Sequence, residues 1–209
     1  MAEAHINDGT VEWSGDHWIN YIRSSPAPAG FAESRATGDE PGLSRVSLYH
    51  TRYSAAGEGH VAIVVIDGLG DLNAVYTDNR ALAEFILDTI IRGQVAKFDR
   101  GFPIVDASFV RGGVVGDRPS WTIEGNGHQV VSTWLDLESP LSVYAPAPMF
   151  GPDVNFYTLL LFANDATINV DGAKVEGSPY EVDVWQTSIG GLRSSSVLAL
   201  AETKIRHRD

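Results

Sequence analysis

The chain has 209 residues, of which 44% are hydrophobic and 20% charged, and this balance excludes an intrinsically disordered protein. Its 27 acidic residues outnumber 15 basic ones, and the formal net charge of −12 makes a phosphate backbone or an anionic membrane an unfavourable partner. The absence of cysteine excludes disulfides, thiolate nucleophiles and cysteine-ligated metal sites. The length suits one domain with its own core, and we predict a single domain over residues 1–209.

The first residues carry neither a cluster of positive charge nor an apolar stretch, so they do not resemble a secretion signal. The most apolar runs, 61–66 and 157–162, are far shorter than the ~20 residues that a membrane helix requires. We therefore expect a soluble, cytoplasmic protein with neither a membrane nor nucleic acid among its partners.

The N-terminal part of the chain combines an aromatic segment with a segment that has no periodicity. The first segment contains Trp13, Trp18, Tyr21 and Ile22, more large apolar side chains than a mobile tail usually has. We therefore expect this segment to pack on the main body. Residues 24–44 are rich in Ser, Pro, Ala and Gly. This composition predicts a loop or lid rather than a linker between two domains.

From residue 45 onward the pattern is that of short strands separated by glycine-rich turns. Alternating or continuous apolar runs predict strands over 45–53, 60–67, 73–76, 104–111, 120–125, 129–137, 142–145, 156–163, 167–170, 180–186 and 195–205. Gly-Asn-Gly at 125–127 and Asp-Gly at 171–172 are typical of hairpin turns, which need a positive φ. The fold class predicted is mainly β, a single antiparallel β-barrel of about eight to ten strands.

One segment departs from this pattern and predicts an amphipathic helix over about residues 79–92. Asn79 offers a capping oxygen, and Gly93 stands where a helix commonly ends. One helical face would carry Leu82, Phe85, Ile86, Thr89 and Ile90. Because this apolar face must be buried, we expect the helix to cover an end or a side of the barrel.

Motifs for nucleotides and metals are absent or weak. Asp67-Gly68-Leu69-Gly70 lacks the third glycine and the helix of a dinucleotide site, so it predicts an ordinary turn. None of the six histidines is spaced as in a zinc motif. His50 and His60 could meet across a hairpin with a carboxylate as a third ligand, although two separate histidines explain the pattern more simply. We predict neither a metal nor a cofactor.

The most informative feature is polar side chains inside strands that otherwise look buried. Alternation places His50 and Arg52 on one face of their strand, and Trp134 and Asp136 on one face of another. In a filled barrel these side chains lie on the solvent side. In a barrel with a cavity they would face a ligand, and desolvation would shift the pKa of a histidine or carboxylate towards values useful for proton transfer. The sequence leaves both interpretations open.

The second interpretation predicts a specific set of site residues. His50 or Asp136 would be the general base, and Arg52 would hold a developing oxyanion. Trp121 and Trp134 would supply stacking walls for an aromatic ligand. The predicted ligand contacts are Tyr49, Tyr53, Asp106, Trp121, Trp134 and Tyr157.

The C-terminal third of the chain resembles the last strands of lipocalin-like barrels. Two runs carry the resemblance: Asn155-Phe-Tyr-Thr-Leu-Leu-Leu-Phe-Ala-Asn-Asp-Ala-Thr-Ile-Asn-Val-Asp-Gly and the closing Ser195-Ser-Val-Leu-Ala-Leu-Ala-Glu-Thr-Lys-Ile. Among lipocalin-like proteins the chain is similar to the carotenoid-hydratase group. The resemblance implies an apolar ligand in a barrel and a cofactor-independent addition, elimination or isomerisation.

We therefore predict a cofactor-independent barrel protein that binds a small hydrophobic or aromatic molecule, with lyase, hydratase or isomerase chemistry. Two alternatives of other classes stay open. One is a carrier barrel that binds its ligand without reaction, and the other is a structural domain that forms a homodimer through an exposed strand edge. The direction in which His50 and Arg52 point is the observation that bears most on this choice.

Overall fold

The computed structural model of the chain describes residues 8–25, 41–91, 101–147, 151–185 and 189–207. The described residues form thirteen strands and one α-helix. The strands are β1 Gly9–Arg23, β2 Leu43–Ser54, β3 Gly59–Val65, β4 Ala74–Thr77, β5 Ile104–Val114, β6 Asp117–Gly125, β7 His128–Leu137, β8 Leu141–Pro146, β9 Val154–Val170, β10 Ala173–Lys174, β11 Glu181–Val182, β12 Arg193–Ser194 and β13 Val197–His207. The predicted loop or lid at 24–44 lies mostly outside the described residues.

Nine of these strands close into a barrel. Their order is β9-β13-β1-β2-β3-β4-β5-β6-β7, and β7 pairs back onto β9. The prediction of a purely antiparallel barrel is wrong in one place, because β4 and β5 run parallel. Parallel neighbours need a crossover connection, and the chain between Thr77 and Ile104, which contains the helix, provides it. The barrel is therefore mixed.

The aromatic N-terminal segment is a strand in the middle of the sheet. β1 pairs with β2 on one side and with β13 on the other. Trp18, Asn20 and Ile22 are fully buried inside the barrel. Register shifts between Val11 and Trp13 and between Gly15 and His17 interrupt its alternation, which is why its sequence does not show a clean strand pattern.

The C-terminal strands differ from the prediction in length. The two strands predicted over 156–163 and 167–170 are one strand, β9, whose first half pairs with β8 and β13 and whose second half pairs with β7. Of the strand predicted over 180–186, residue 186 lies outside the described residues, and the described part contains only β11, whose one described partner is β12. The predicted hairpin turns are confirmed, since Asn126, Gly127, Asp171 and Gly172 all have positive φ.

The predicted helix is present and lies against the side of the barrel. It comprises α1, Arg80–Ile86, and a π-helical turn, Leu87–Ile91, and the Asn79 side chain accepts a hydrogen bond from the Leu82 amide at 3.2 Å. Residues 92 and 93, the predicted helix end, lie outside the described residues. Its apolar face packs on the outer surfaces of β3 and β4. Of the described helical segments, none is long and apolar enough to cross a membrane.

Candidate functional site

Two histidines face each other at one end of the barrel, next to the turn that joins β2 to β3. His50 of β2 and His60 of β3 are register partners, and their rings stack with centroids 4.7 Å apart and planes 10° apart. Both belong to the alternate positions that face the barrel interior, as Leu48 and Ala62 do. The sequence analysis favoured two separate histidines, and this interpretation is wrong, because His50 and His60 meet across the β2–β3 hairpin.

Each imidazole has a carboxylate at its Nδ1 atom. His60 Nδ1 lies 2.6 Å from Asp78 Oδ2, and Asp78 Oδ1 also accepts the backbone N–H of His60 at 2.7 Å. Gly59 allows this approach, because a Cβ at that position would lie 2.6 Å from Asp78 Oδ1. His50 Nδ1 lies 3.6 Å from Asp16 Oδ2. The Asp78 carboxylate is within hydrogen-bond distance and orients the His60 ring, whereas Asp16 places a negative charge beside His50 without a hydrogen bond to it.

Asp16 links the second histidine to an arginine and to the last strand. Its side chain is only 3% exposed, accepts a short hydrogen bond from Arg52 and accepts the Ala201 amide at 2.8 Å. Ala201 has φ +50° at a register shift in β13, which turns its N–H towards the carboxylate. Burial raises the pKa of Asp16, but the nearby His50 imidazole and the hydrogen bonds from Ala201 and Arg52 outweigh burial and leave it below its ordinary value.

Aromatic side chains form a floor beneath the two histidines. The Trp121 ring lies 5.7 Å from the His50 ring and 5.2 Å from the His60 ring, and Phe109 stacks on His60 at 5.0 Å. Trp18 packs edge-on against Trp121 at 5.9 Å. These residues belong to or border the main core, so the histidines stand where the packed interior meets the end of the barrel.

We call this group the mouth site; it comprises Asp16, His50, Arg52, His60, Asp78, Phe109 and Trp121. Part of it borders an open depression of about 770 Å³. Its lining residues are His50, Thr51, Glu58, Gly59, His60, Asp78, Asn79, Arg80 and Ala81. Among the described residues, no group of three or more His, Asp or Glu side chains is arranged to hold a metal ion. The arrangement is suited to proton transfer by imidazole groups that carboxylates orient.

The mouth site contains three of the residues that the sequence analysis predicted. His50 and Trp121 are in contact, and Arg52 reaches them through Asp16. Trp134 lies deeper in the barrel, where it packs against Trp18 and donates its indole N–H to the Ile19 carbonyl at 2.7 Å.

The other predicted site residues lie elsewhere. Asp136 is exposed at an irregular position of β7, with φ +49°, and no described contact joins it to the histidines. Tyr49 and Tyr53 are on the outer face of β2, Tyr49 buried against His17 and Tyr53 54% exposed. Their side chains point away from the barrel interior because alternation places them opposite His50 and Arg52.

Two further predicted contacts are at the surface. The Asp106 side chain is 92% exposed and lies 4.0 Å from Arg80. Tyr157 of β9 is partly exposed beside Tyr144 of β8, its register partner. Neither has a described contact with the histidine pair.

Sequence reasoning missed the two carboxylates that lie beside the histidines. Asp78 stands in a stretch that indicates a helix start, where an acidic residue has an ordinary capping role. Asp16 lies in the segment whose strand character was not detected. Asp16 is recognisable as a charged residue that points into the barrel near Trp18. That orientation is known only once the register of β1 is known.

The comparisons with known proteins do not assign the chain to a family. No protein-family model matches the chain, and no curated protein matches it. Among solved structures, the chain is similar to acetoacetate decarboxylase from Legionella pneumophila subsp. pneumophila, with a TM-score of 0.39 and 11% identity, over 99% of this chain and 90% of that one. A similarity of this size establishes no family and transfers no residue role or activity.

Proposed function

We propose that the chain is a cofactor-independent barrel enzyme of the lyase, hydratase or isomerase type, which transfers protons on a small molecule with an apolar or aromatic body. The observation that carries this proposal is the stacked pair of His50 and His60 with a carboxylate at the Nδ1 atom of each ring. The resemblance to lipocalin-like barrels and to the carotenoid-hydratase group, which implies the same kind of chemistry, is part of this proposal.

His60 is the better placed general base. When its Nδ1–H donates to Asp78, the lone pair lies on Nε2, which is then the atom that accepts a proton from the substrate. Asp78 holds the ring in this orientation and stabilises the imidazolium that forms. Because Asp78 also binds the His60 amide, the ring is fixed relative to its own strand.

His50 and Arg52 complete the proposed chemistry. With its ring 4.7 Å from that of His60, His50 can donate a proton at a second atom of the same substrate, so one proton is removed and one returned. Arg52, held by Asp16, is placed to stabilise an oxyanion that develops between these steps. Trp121 supplies the apolar wall next to both imidazoles.

Hydrogen–deuterium exchange at carbon tests the proton-transfer step without knowledge of the natural substrate. We would follow loss of the proton signal next to the carbonyl of benzylacetone in D2O by NMR. The wild type should accelerate exchange, and His60→Gln should slow the catalysed rate by about 100-fold or more. Asp78→Asn should slow it less, because the imidazole remains but is no longer oriented by a carboxylate.

His128 provides a matched control at the opposite end of the barrel. Its Nδ1 lies 2.7 Å from Asp171, and the next amide donates to the same carboxylate, so it repeats the geometry of His60 away from the mouth site. His128→Gln should therefore leave exchange unchanged. Binding of benzylacetone without exchange would favour the carrier alternative, and equal rates for wild type and His60→Gln would overturn the proposed base.

A further inference from the structure

A single arginine stands over the aromatic floor of the mouth site. Arg111 of β5 follows Phe109 on the inward face, and its register partner in β6 is Trp121. Its guanidinium carbon lies 5.1 Å from the centre of the Trp18 ring. The arginine is exposed, whereas both tryptophans beneath it are buried.

Among the described residues, no carboxylate forms an ion pair with Arg111. Two other arginines near the mouth site do have a carboxylate nearby, since Arg52 pairs with Asp16 and Arg80 lies 4.0 Å from Asp106. A guanidinium next to an aromatic ring still has N–H donors that can bind the two oxygens of a carboxylate.

Two of the tryptophans beneath Arg111 have indole N–H groups without an acceptor among the described residues. The indole Nε1 atoms of Trp18 and Trp121 are buried and make no hydrogen bond to the described part of the chain. Trp134, the third tryptophan of this cluster, has its N–H satisfied by the Ile19 carbonyl. Leaving a buried donor unpaired is unfavourable, so these two rings mark a part of the interior in which a polar group lacks its partner.

We propose that the mouth site, together with the adjacent Arg111, binds molecules that carry a carboxylate next to an apolar or aromatic body, with the Arg111 guanidinium as the donor for the carboxylate and Trp121 as the wall for the apolar body. This inference rests on the proposed function and names its substrate class. Trp121 touches both imidazoles, so a carboxylate bound at Arg111 places the adjoining carbon atoms towards His50 and His60. Arg111 is thus a binding and positioning residue rather than a proton carrier.

Matched acids and amides test this assignment, because they differ in charge but hardly in shape. We would titrate benzoate, cinnamate and octanoate against benzamide, cinnamamide and octanamide. The readouts are calorimetry and tryptophan fluorescence, to which Trp18 and Trp121 should contribute. At least one acid should bind the wild type about tenfold or more tighter than its amide, as expected for a charge-assisted pair.

Variants then identify the residue responsible. Arg111→Gln should weaken the acid about tenfold and leave the amide unchanged, and Arg111→Lys should restore part of the loss because charge returns without the planar fork. Lys174→Gln removes an exposed positive charge on β10, outside the mouth site, and should change neither.

The outcomes separate this inference from the proposed function. If the acids bind no better than their amides up to millimolar concentration, or if Arg111→Gln weakens both equally, the carboxylate assignment is overturned whatever the exchange experiment shows. If the acids depend on Arg111 while the wild type catalyses no proton exchange, the substrate class stands as a ligand class and the catalytic proposal fails.

Discussion

At the scale of single residues, the histidines of this chain are distinguished by what surrounds them. His60 and His50 lie where carboxylates meet the open end of the barrel. His17, on the outer face of β1, stacks on Tyr49 at 3.9 Å and has its Nε2 atom 2.8 Å from the Ser47 hydroxyl. Burial, and secondarily the nearby Lys204 ammonium, lowers the pKa of His17 to about 3. His17 is therefore a neutral structural group at physiological pH.

This pKa makes the free energy of unfolding depend on pH. The folded pKa of His17, about 3, is below the ordinary value of 6.5, so between these values the unfolded chain binds a proton that the native chain does not. Stability therefore falls as the pH falls through 6.5 towards 3, and His17 alone should reduce it by about 2 kcal/mol between about pH 7 and about pH 5.

Urea denaturation at the two pH values, followed by circular dichroism, measures this effect. His17→Gln keeps a hydrogen-bonding side chain but does not titrate, so its stability should change less with pH than that of the wild type. Asn169→Ala, at a partly exposed position of β9, is the control and should retain the wild-type dependence, because it removes no group that titrates in this range. Equal pH dependence for wild type and His17→Gln would contradict the assignment.

At the scale of elements, the helix and most strands follow from local pattern, and their pairing does not. The alternating runs and the turns at Asn126 and Asp171 place the hairpins correctly, because these signals are local in sequence. The parallel pairing of β4 with β5 joins segments that the helix separates, and no local signal specifies it. β1 was missed because its register shifts break the alternation that identifies a strand.

The residues of the candidate site also fall into two groups: those that a local sequence pattern indicates and those that only the pairing of strands brings together. His50, Arg52 and Trp121 were found because alternation within a single strand indicates which side chains share a face. Asp16 and Asp78 join the histidines only through the pairing of β1 with β2 and the turn after β4. Arg111 became a candidate only when β5 was placed opposite β6, above Trp18. Contacts between elements thus determine the part of the site that sequence reasoning could not reach.

The start of the helix offers a prediction at this scale. Asn79 accepts the Leu82 amide at 3.2 Å and donates to the Glu58 carbonyl at 2.9 Å, so it caps α1 and ties it to the β2–β3 turn. Asn79→Ala should lower the free energy of unfolding by about 1–2 kcal/mol, as loss of an N-cap does. Thermal and urea denaturation would measure the loss.

The control for this prediction lies one turn further along the same helix. Glu84 is exposed, and Glu84→Ala should change stability by no more than about 0.5 kcal/mol. If Asn79→Ala were as stable as Glu84→Ala, the capping role would be refuted. Because Asn79 also borders the depression beside His60, the same variant should be assayed for proton exchange to learn whether the turn positions the site.

At the scale of the whole molecule, closure of the barrel joins the first and last strands, and polar contacts cross its interior. β1 lies between β2 and β13, so the first and last strands are neighbours. Asn20 of β1 is fully buried, and its amide nitrogen donates to the Ser132 hydroxyl at 2.9 Å and to the Thr167 carbonyl at 3.0 Å. Its oxygen accepts from the Ser196 hydroxyl at 3.0 Å. One side chain thus connects β1 with β7, β9 and the segment before β13.

Removing this connection should destabilise the barrel as a unit. Asn20→Ala leaves two hydroxyls and a carbonyl without their partner in a buried setting, and we expect the free energy of unfolding to fall by about 2–4 kcal/mol. Asn169→Ala, at a partly exposed position of β9, should change it by about 0.5 kcal/mol or less. Circular dichroism and tryptophan fluorescence should show one coincident transition, since Trp18 and Trp134 lie in the same interior. A fall no larger than that of Asn169→Ala would show that closure rests on apolar packing alone.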